Sequence, residues 1–310
     1  MSRILVIKLA ALGDVVQAFG PFAAIRAHHP GAEITLLTTP PFAPLLRRAP
    51  WFDTVWDDGR PGWRGLPALA AKLRRGRFDR VYDLQTSGRS SRYRWLTGPV
   101  PWSGVASHRA VNPARNSLHT AERQREQLAI AGITRFPPPA LDWLDDPLEG
   151  FALPPRFVLM VPGASPSRPG KRWPAGHFAA LAQRLGPPPV ILGGPAEAPL
   201  AAEILRARPD GTDLTGRTTL AQIGALARRA WAAVGNDTGP THLLAAAGCP
   251  TLAVFGDDSD PALCAPRGAM AGWVRGTPIN ALSAEAVEDA VLKLVGAGHG
   301  GAAPLEPPLG

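Results

Sequence analysis

The sequence predicts an α/β protein made of two doubly wound domains in tandem. Three observations carry that expectation. Short apolar runs rich in Val, Ile and Leu alternate with longer helical patterns along most of the chain, as a parallel sheet covered by helices demands. The alternation halts at a proline-rich stretch near the middle and then restarts. The 310 residues suffice for two domains of about 150 each.

In the first half, Ile4–Leu9 reads as a buried strand and Val15–His28 as a helix stopped by Pro30 and Gly31. Glu33–Thr38 and Thr54–Trp56 follow as strands, then Leu66–Arg75 as a helix, Arg80–Leu84 as a strand and His119–Ala131 as a helix. The segment Phe136–Pro155, with two proline clusters, is the expected linker. Beyond it the expected strands are Phe157–Val161, Val190–Leu192, Trp231–Val234 and Thr251–Phe255. The expected helices are Ala175–Leu185, Glu197–Arg206, Leu220–Arg229, Thr241–Ala247 and Ala284–Val295. Domains are therefore expected at residues 1–150 and 151–295, facing a central cleft. Residues 296–310, rich in Gly, Ala and Pro, are expected to form a frayed tail.

Composition narrows the class. At 45% hydrophobic and 19% charged, the chain reads as an ordinary globular protein. It has no apolar run of the ~18 residues a membrane helix needs, and its start does not resemble a signal peptide, so a cytoplasmic location is expected. Cys249 and Cys264 show no CxxC spacing and suggest neither disulfide nor metal chemistry. Charge is uneven: residues 1–150 carry 20 Lys and Arg against 13 Asp and Glu, a net +7 of the total +8. This is either a solvated basic face or an attraction to an anionic partner. No helix-turn-helix, zinc or RNA-binding pattern accompanies the charge, so nucleic acid is not expected; an anionic lipid surface fits better.

Three loops at strand ends have the residues for chemistry, because ligands of open α/β sheets bind outside the carboxyl ends of strands. The first is Leu9–Val16. Gly13 permits close approach to backbone, and Asp14 is either a helix cap or a base facing a ligand. Its single glycine does not make the G-x-G-x-x-G dinucleotide fingerprint. The second, Pro162–Pro174, holds two serines and the cations Arg168, Lys171 and Arg172. It is either a basic turn or a phosphate cradle, but not a Walker loop. The third, Val234–His242, ends a strand and opens a helix with Gly239 and Pro240, so N–H groups and a threonine hydroxyl face whatever lies there. Here Asp237 is either a cap or a ligand contact, and His242 a donor or a packed side chain.

As an ordered set, G-D-V-V at 13–16, K-R-W-P at 171–174 and D-T-G-P-T-H at 237–242 closely resemble glycosyltransferase family 9, the ADP-heptose:lipopolysaccharide heptosyltransferases. Further matches are Asp83-Leu84-Gln85, the run from His119 to Arg123, Phe255-Gly256 and Asp260-Pro261. The resemblance spans Arg3 to about Val295. It implies the GT-B fold, two Rossmann-like domains with acceptor bound mainly by the first and donor by the second. It further implies Asp14 as general base and a donor site of Ser165, Lys171, Arg172, Glu197, Asp237, Thr238, Gly239 and His242. Glu197 would meet the nucleoside ribose. On the acceptor side stand Gly13, Asp83, Gln85, His119 and Arg123, with Arg89 and Arg92 added on the grounds of charge.

The reaction so implied is inverting transfer of a sugar, heptose from ADP-heptose, to a lipopolysaccharide inner-core or related saccharide. Neither metal nor cofactor is called for, since no Asp-x-Asp pair is present and the nucleotide sugar is a substrate. The expected partners are that donor and an anionic lipid-linked saccharide, with peripheral contact to the cytoplasmic face of the inner membrane. The competing readings are a non-catalytic saccharide- or lipid-binding protein of the same fold, and a sugar-nucleotide epimerase.

Overall fold

In the computed structural model, which describes residues 1–300, the chain separates into two compact units that meet in sequence at Trp143 and Leu144. The N-terminal unit holds a five-stranded sheet of β1 (Arg3–Ile7), β2 (Glu33–Leu37), β3 (Thr54–Trp56), β4 (Arg80–Asp83) and β5 (Trp102–Ser103). Every pairing is parallel, in the order β3-β2-β1-β4-β5. Ile4 to Ile7 of β1 are wholly buried, because a central parallel strand is covered on both faces and so reads as a continuous apolar run.

The C-terminal unit repeats the plan with six parallel strands. They are β6 (Val158–Val161), β7 (Pro189–Ile191), β8 (Thr212–Asp213), β9 (Ala232–Asn236), β10 (Thr251–Phe255) and β11 (Ala271–Arg275). Their order is β11-β10-β9-β6-β7-β8. Its core joins strand residues such as Met160, Val234 and Val254 to Trp173, Phe178, Ile204 and Val291 from the covering segments.

In both sheets the chain builds outward from a central strand and then crosses to that strand's other side. The direction of winding reverses between β1 and β4 and between β6 and β9. Loops diverge at such points, which opens a crevice at the strands' carboxyl ends. Register sets Ile7 beside Asp83 and Val161 beside Gly235, so the segments that follow these strands emerge side by side.

Four departures from the sequence reading bear on the architecture. The helix expected over Val15–His28 is two helices, Leu12–Val16 and Phe19–His28. Pro21 has no N–H to give the carbonyl of Gln17, so one helix cannot continue through it. The division between units falls earlier than residue 150, for reasons of packing. Trp143 stacks edge-on against Phe19 and Trp51 of the N-terminal unit. From Leu144 on the chain is tied to helix Leu220–Arg229: Arg228 donates to the Leu144 carbonyl, and Gln222 donates to Pro147 at 3.1 Å. Strands β5, β8 and β11 escaped detection; all three lie at sheet edges, two have only two residues, and none is fully buried. The last helix runs Ala284–Gly300, so the expected tail does not begin at 296. Its remainder, 301–310, lies outside the described residues.

Candidate functional site

Each switch point gathers polar side chains. In the N-terminal unit the segments after β1 and β4, with helix Thr120–Ile130, enclose a hollow of about 200 Å³. Asp14, Lys8, Gln85, Arg115 and Arg123 are among the residues that line it. Asp14 sits in the first turn of Leu12–Val16, where its Oδ2 accepts the Ala11 N–H at 3.1 Å. It thus closes one backbone donor of the helix start while its side chain reaches the hollow. Gly13 precedes it in the same turn and does not line the hollow. The Gln85 amide oxygen accepts Leu9 N–H at 2.8 Å and Ala10 N–H at 3.0 Å, which pins the loop carrying Asp14 to the one after β4.

The cations of this hollow are held from behind. Lys8 is nearly buried and donates to the Leu84 carbonyl at 3.1 Å. Burial lowers its pKa and outweighs the raising effect of Asp14 and Asp83; Arg123 adds to the lowering. Arg123 donates to the Thr120 hydroxyl at 2.6 Å. Arg115 is 5% exposed, and its Nε donates to His108 Nδ1 at 3.0 Å. Since guanidinium only donates, Nδ1 is the acceptor, and the ring proton sits on Nε2, 2.5 Å from a Glu126 carboxylate oxygen. Asn112 donates to both oxygens of Glu126 as well. A chain of hydrogen bonds therefore fixes the Arg115 guanidinium at the edge of the hollow.

Besides Gly13, four expected acceptor residues lie outside this hollow. Asp83 has no exposed surface, so it cannot touch a ligand. Its Oδ1 accepts Gln85 N–H and Thr86 N–H, both at 3.1 Å, and shapes the turn after β4. Burial pushes its pKa up to about 6, against the lowering by those N–H groups, the Ser90 hydroxyl and Lys8. His119 is 7% exposed and caps helix Thr120–Ile130, its Nδ1 accepting the Ala121 N–H at 3.1 Å. Arg89 and Arg92 line a separate hollow of about 550 Å³ with Trp63, Leu66 and Tyr93.

In the C-terminal unit the segments after β6 and β9 are stitched together by Asn236. This fully buried side chain donates to the Pro162 carbonyl at 2.8 Å and accepts the Trp173 N–H at 3.0 Å. The stitch sets Lys171 beside Asp237, Nζ to Oδ2 at 2.5 Å, with the two side chains 13% and 5% exposed. His242 Nε2 lies 3.3 Å from the other Asp237 oxygen. Burial would raise the Asp237 pKa; hydrogen bonds and charge from His242 and Lys171 overcome it and hold the carboxyl at about 2. Asp237 is therefore an ion-pair member and not the helix cap; Thr238 occupies the cap position of Gly239–Ala246.

Glu197 reaches the same rim. A Cβ on Gly163 would fall 2.7 Å from its Cγ, and its Oε2 accepts the Gly194 N–H at 2.8 Å. Only glycine at 163 leaves it that room. Arg172 donates to the Ala164 carbonyl at 2.8 Å, and Ser165 bonds the Ser167 hydroxyl at 2.9 Å on an exposed part of the loop. The eight expected donor residues thus stand at the carboxyl ends of β6, β7 and β9.

Lys8, Arg115 and Asn236 were missed in the sequence. Lys8 and Asn236 do leave a trace, each being a polar residue inside or ending a buried strand run, where an unpaired polar group is costly. Arg115 leaves none, for its place depends on tertiary contacts alone.

Comparison with known proteins bears on the family and the fold. The sequence model of glycosyltransferase family 9 (heptosyltransferase) matches residues 66–290. The chain is 29% identical over 292 residues to lipopolysaccharide heptosyltransferase 2 of Escherichia coli K12, covering 83% of each. In structure it is similar to the glycosyl transferase family 9 protein of Veillonella parvula, with a TM-score of 0.78 at 22% identity over 95% of this chain and 97% of that one. It is also similar to ADP-heptose lps heptosyltransferase II of E. coli, with a TM-score of 0.75 at 25% identity over 96% and 100% of the two chains.

Proposed function

The chain belongs to glycosyltransferase family 9, the heptosyltransferase family, and from that premise we propose that it moves heptose from ADP-heptose to an anionic saccharide of the lipopolysaccharide core, with inversion and with Asp14 as general base. Its two Rossmann-like units are those of a GT-B glycosyltransferase. The observation that carries the finer reading is the hollow of the N-terminal unit, where one carboxylate stands among Lys8, Arg115 and Arg123. The cations suit an acidic acceptor, and the carboxylate suits its hydroxyl.

A sugar hydroxyl is a weak nucleophile. Asp14 takes its proton as the oxygen attacks the anomeric carbon from the face opposite the leaving diphosphate; such assistance contributes ~10²–10⁴ in rate. The C–O bond to the new sugar forms while the bond to the diphosphate oxygen breaks, and the leaving group departs as ADP. Its growing charge falls to the C-terminal unit. Lys171 has three N–H donors, of which Asp237 takes one, and the first-turn N–H groups of Gly239–Ala246 add their partial positive charge. Glu197 accepts a ribose hydroxyl, Ser165 and Arg172 flank the phosphates, and Asp237 orients Lys171 while it contacts the sugar. Arg89 and Arg92 attract more distant parts of the acceptor.

No helix of the described residues is long and apolar enough to cross a membrane. The net positive charge of the N-terminal half suits an acceptor presented at the cytoplasmic face of the inner membrane, with the enzyme bound peripherally. Incubation with ADP-heptose and deacylated lipopolysaccharide core tests the reading. ADP release that depends on the acceptor, together with a heptosylated product of inverted configuration, is expected. Release without glycosylated product, or reaction only with a different nucleotide sugar, overturns it.

A further inference from the structure

The surface around the hollow of Arg89 and Arg92 has a composition that a water-facing surface does not need. Trp63 is 77% exposed, Trp95 81% and Leu66 41%. They belong to neighbouring elements: Trp63 starts the 3-10 turn Trp63–Gly65, which leads into helix Leu66–Gly76, and that helix packs against Arg94–Thr97, which carries Trp95. Trp63 and Leu66 line the hollow with Tyr93 and Leu96, the residue next to Trp95. Trp63 and Leu66 thus share one hollow, and Trp95 is exposed on a helix packed beside it, which brings three exposed large apolar side chains into one part of the unit.

Its charge is one-sided. Arg89 and Arg92 line the hollow, Arg64 lies over the Trp63 ring at 5.0 Å, and Arg60 is near enough to act on the Tyr93 hydroxyl. Arg94 adjoins Trp95. The nearby carboxylates are already matched, Asp57 to Arg47 and Asp58 to Lys72, so five arginines face outward in excess. Tryptophan favours the headgroup layer of a bilayer, where its ring is half apolar and half polar, and arginine favours anionic headgroups above it. A protein partner would be asked to cover the tryptophans and also supply several carboxylates; an anionic bilayer offers both as a matter of course.

We propose that this patch, centred on Trp63 and Trp95 and ringed by Arg60, Arg64, Arg89, Arg92 and Arg94, is the surface by which the enzyme sits on an anionic lipid bilayer. The inference rests on the reading of the acceptor as lipid-linked, and it names the part of the molecule that meets the membrane. The tryptophans enter the headgroup layer, and each arginine near the surface contributes about fivefold in partition, the equivalent of ~1 kcal/mol.

The test is flotation of the full chain with vesicles of phosphatidylglycerol and phosphatidylcholine that carry no saccharide acceptor, at low and high salt. The protein should float with the anionic vesicles, not with pure phosphatidylcholine, and salt should weaken the binding. Trp63→Ser/Trp95→Ser should lower binding at least tenfold, and Arg60→Gln/Arg64→Gln by about 25-fold at low salt. Both variants should keep wild-type kcat/KM on the soluble deacylated acceptor, a readout that reports misfolding and that fails separately if the transfer reaction itself is misassigned. Wild-type binding by the tryptophan variant overturns the proposal. So does binding only to vesicles that contain lipopolysaccharide, which assigns the tryptophans, like Arg89 and Arg92, to the acceptor and not to the bilayer. A concentration-dependent dimer that the same substitutions dissolve assigns the patch to self-association, and it too overturns the bilayer.

Discussion

Asp83 ends β4 in the N-terminal unit and Asp237 follows β9 in the C-terminal unit, each beside the central strand of its sheet at the point where the winding reverses. Both are buried, at 0% and 7% exposure. Yet one carboxyl is pushed up to about 6 and the other held at about 2. Burial acts on both in the same direction; the neighbours differ. Lys8 donates to a backbone carbonyl and leaves Asp83 to two N–H groups and the Ser90 hydroxyl, whereas Lys171 and His242 both meet the Asp237 carboxylate directly. The same topological position can therefore hold a turn-shaping carboxyl or a permanently charged one, and adjacent side chains decide which. In the N-terminal unit the carboxylate proposed as base is instead Asp14, seven residues beyond β1.

The largest effect expected is at Asp14. Asp14→Asn should cut acceptor-dependent turnover by ~10²–10⁴, with melting temperature and ADP affinity close to wild type. Asparagine can still accept the Ala11 N–H, so an active variant would reduce Asp14 to a helix-start residue and leave the N-terminal unit without its base.

Next comes Lys171→Met, which places Asp237 in a situation closer to that of Asp83. Removing one partner of a buried ion pair costs about 3–5 kcal/mol, to be read from urea denaturation at neutral pH, and ADP binding by calorimetry should weaken. The sign follows from the depressed pKa: in wild type the Asp237 contribution is present above the unfolded value near 4 and is lost as pH falls through about 2. The variant should lack that contribution at neutral pH, and adding Asp237→Asn should restore part of the stability. If Lys171→Met is as stable as wild type, the pair is not what holds Asp237.

For Asp83 the sign is reversed. A raised pKa means that the favourable, protonated state is kept below about 4 and lost as pH rises through about 6. Asp83→Asn should remove this dependence. The stability of wild type relative to the variant should fall between about pH 3 and about pH 7 by about 3 kcal/mol, at no more than ~1.4 kcal/mol per pH unit. Parallel pH profiles for the two proteins would show that Asp83 carries no such burden.

The smallest effect expected is Arg123→Gln, which removes one of three cations from the acceptor hollow. Acceptor KM should rise by about 10- to 100-fold, as the loss of the ~1.5–3 kcal/mol of a hydrogen bond to a charged group requires, and donor KM should not move. Equal changes in both would detach Arg123 from the acceptor.

What the sequence determined by itself was local or periodic. Buried parallel strands read as apolar runs, so β1, β2, β4, β6, β9 and β10 were legible, and so were the loops that follow them, since ligand loops of this architecture lie at strand ends. The loops of Asp14, Lys171 and Asp237 could be picked out, and the resemblance of the ordered motifs gave those residues their expected roles. Edge strands β5, β8 and β11 were not legible, because two residues or a half-exposed face leave no pattern. The division at Trp143 was set by which core that ring could join. The tertiary structure alone decided that Asp83 faces inward, that His119 caps a helix, that Arg89 and Arg92 belong to another hollow, and that Arg115 stands beside Asp14 on a His108–Glu126 support. The reason is physical: a spacing along the chain fixes which face of a helix or strand a residue takes, but burial, charge partners and pocket membership depend on segments distant in sequence.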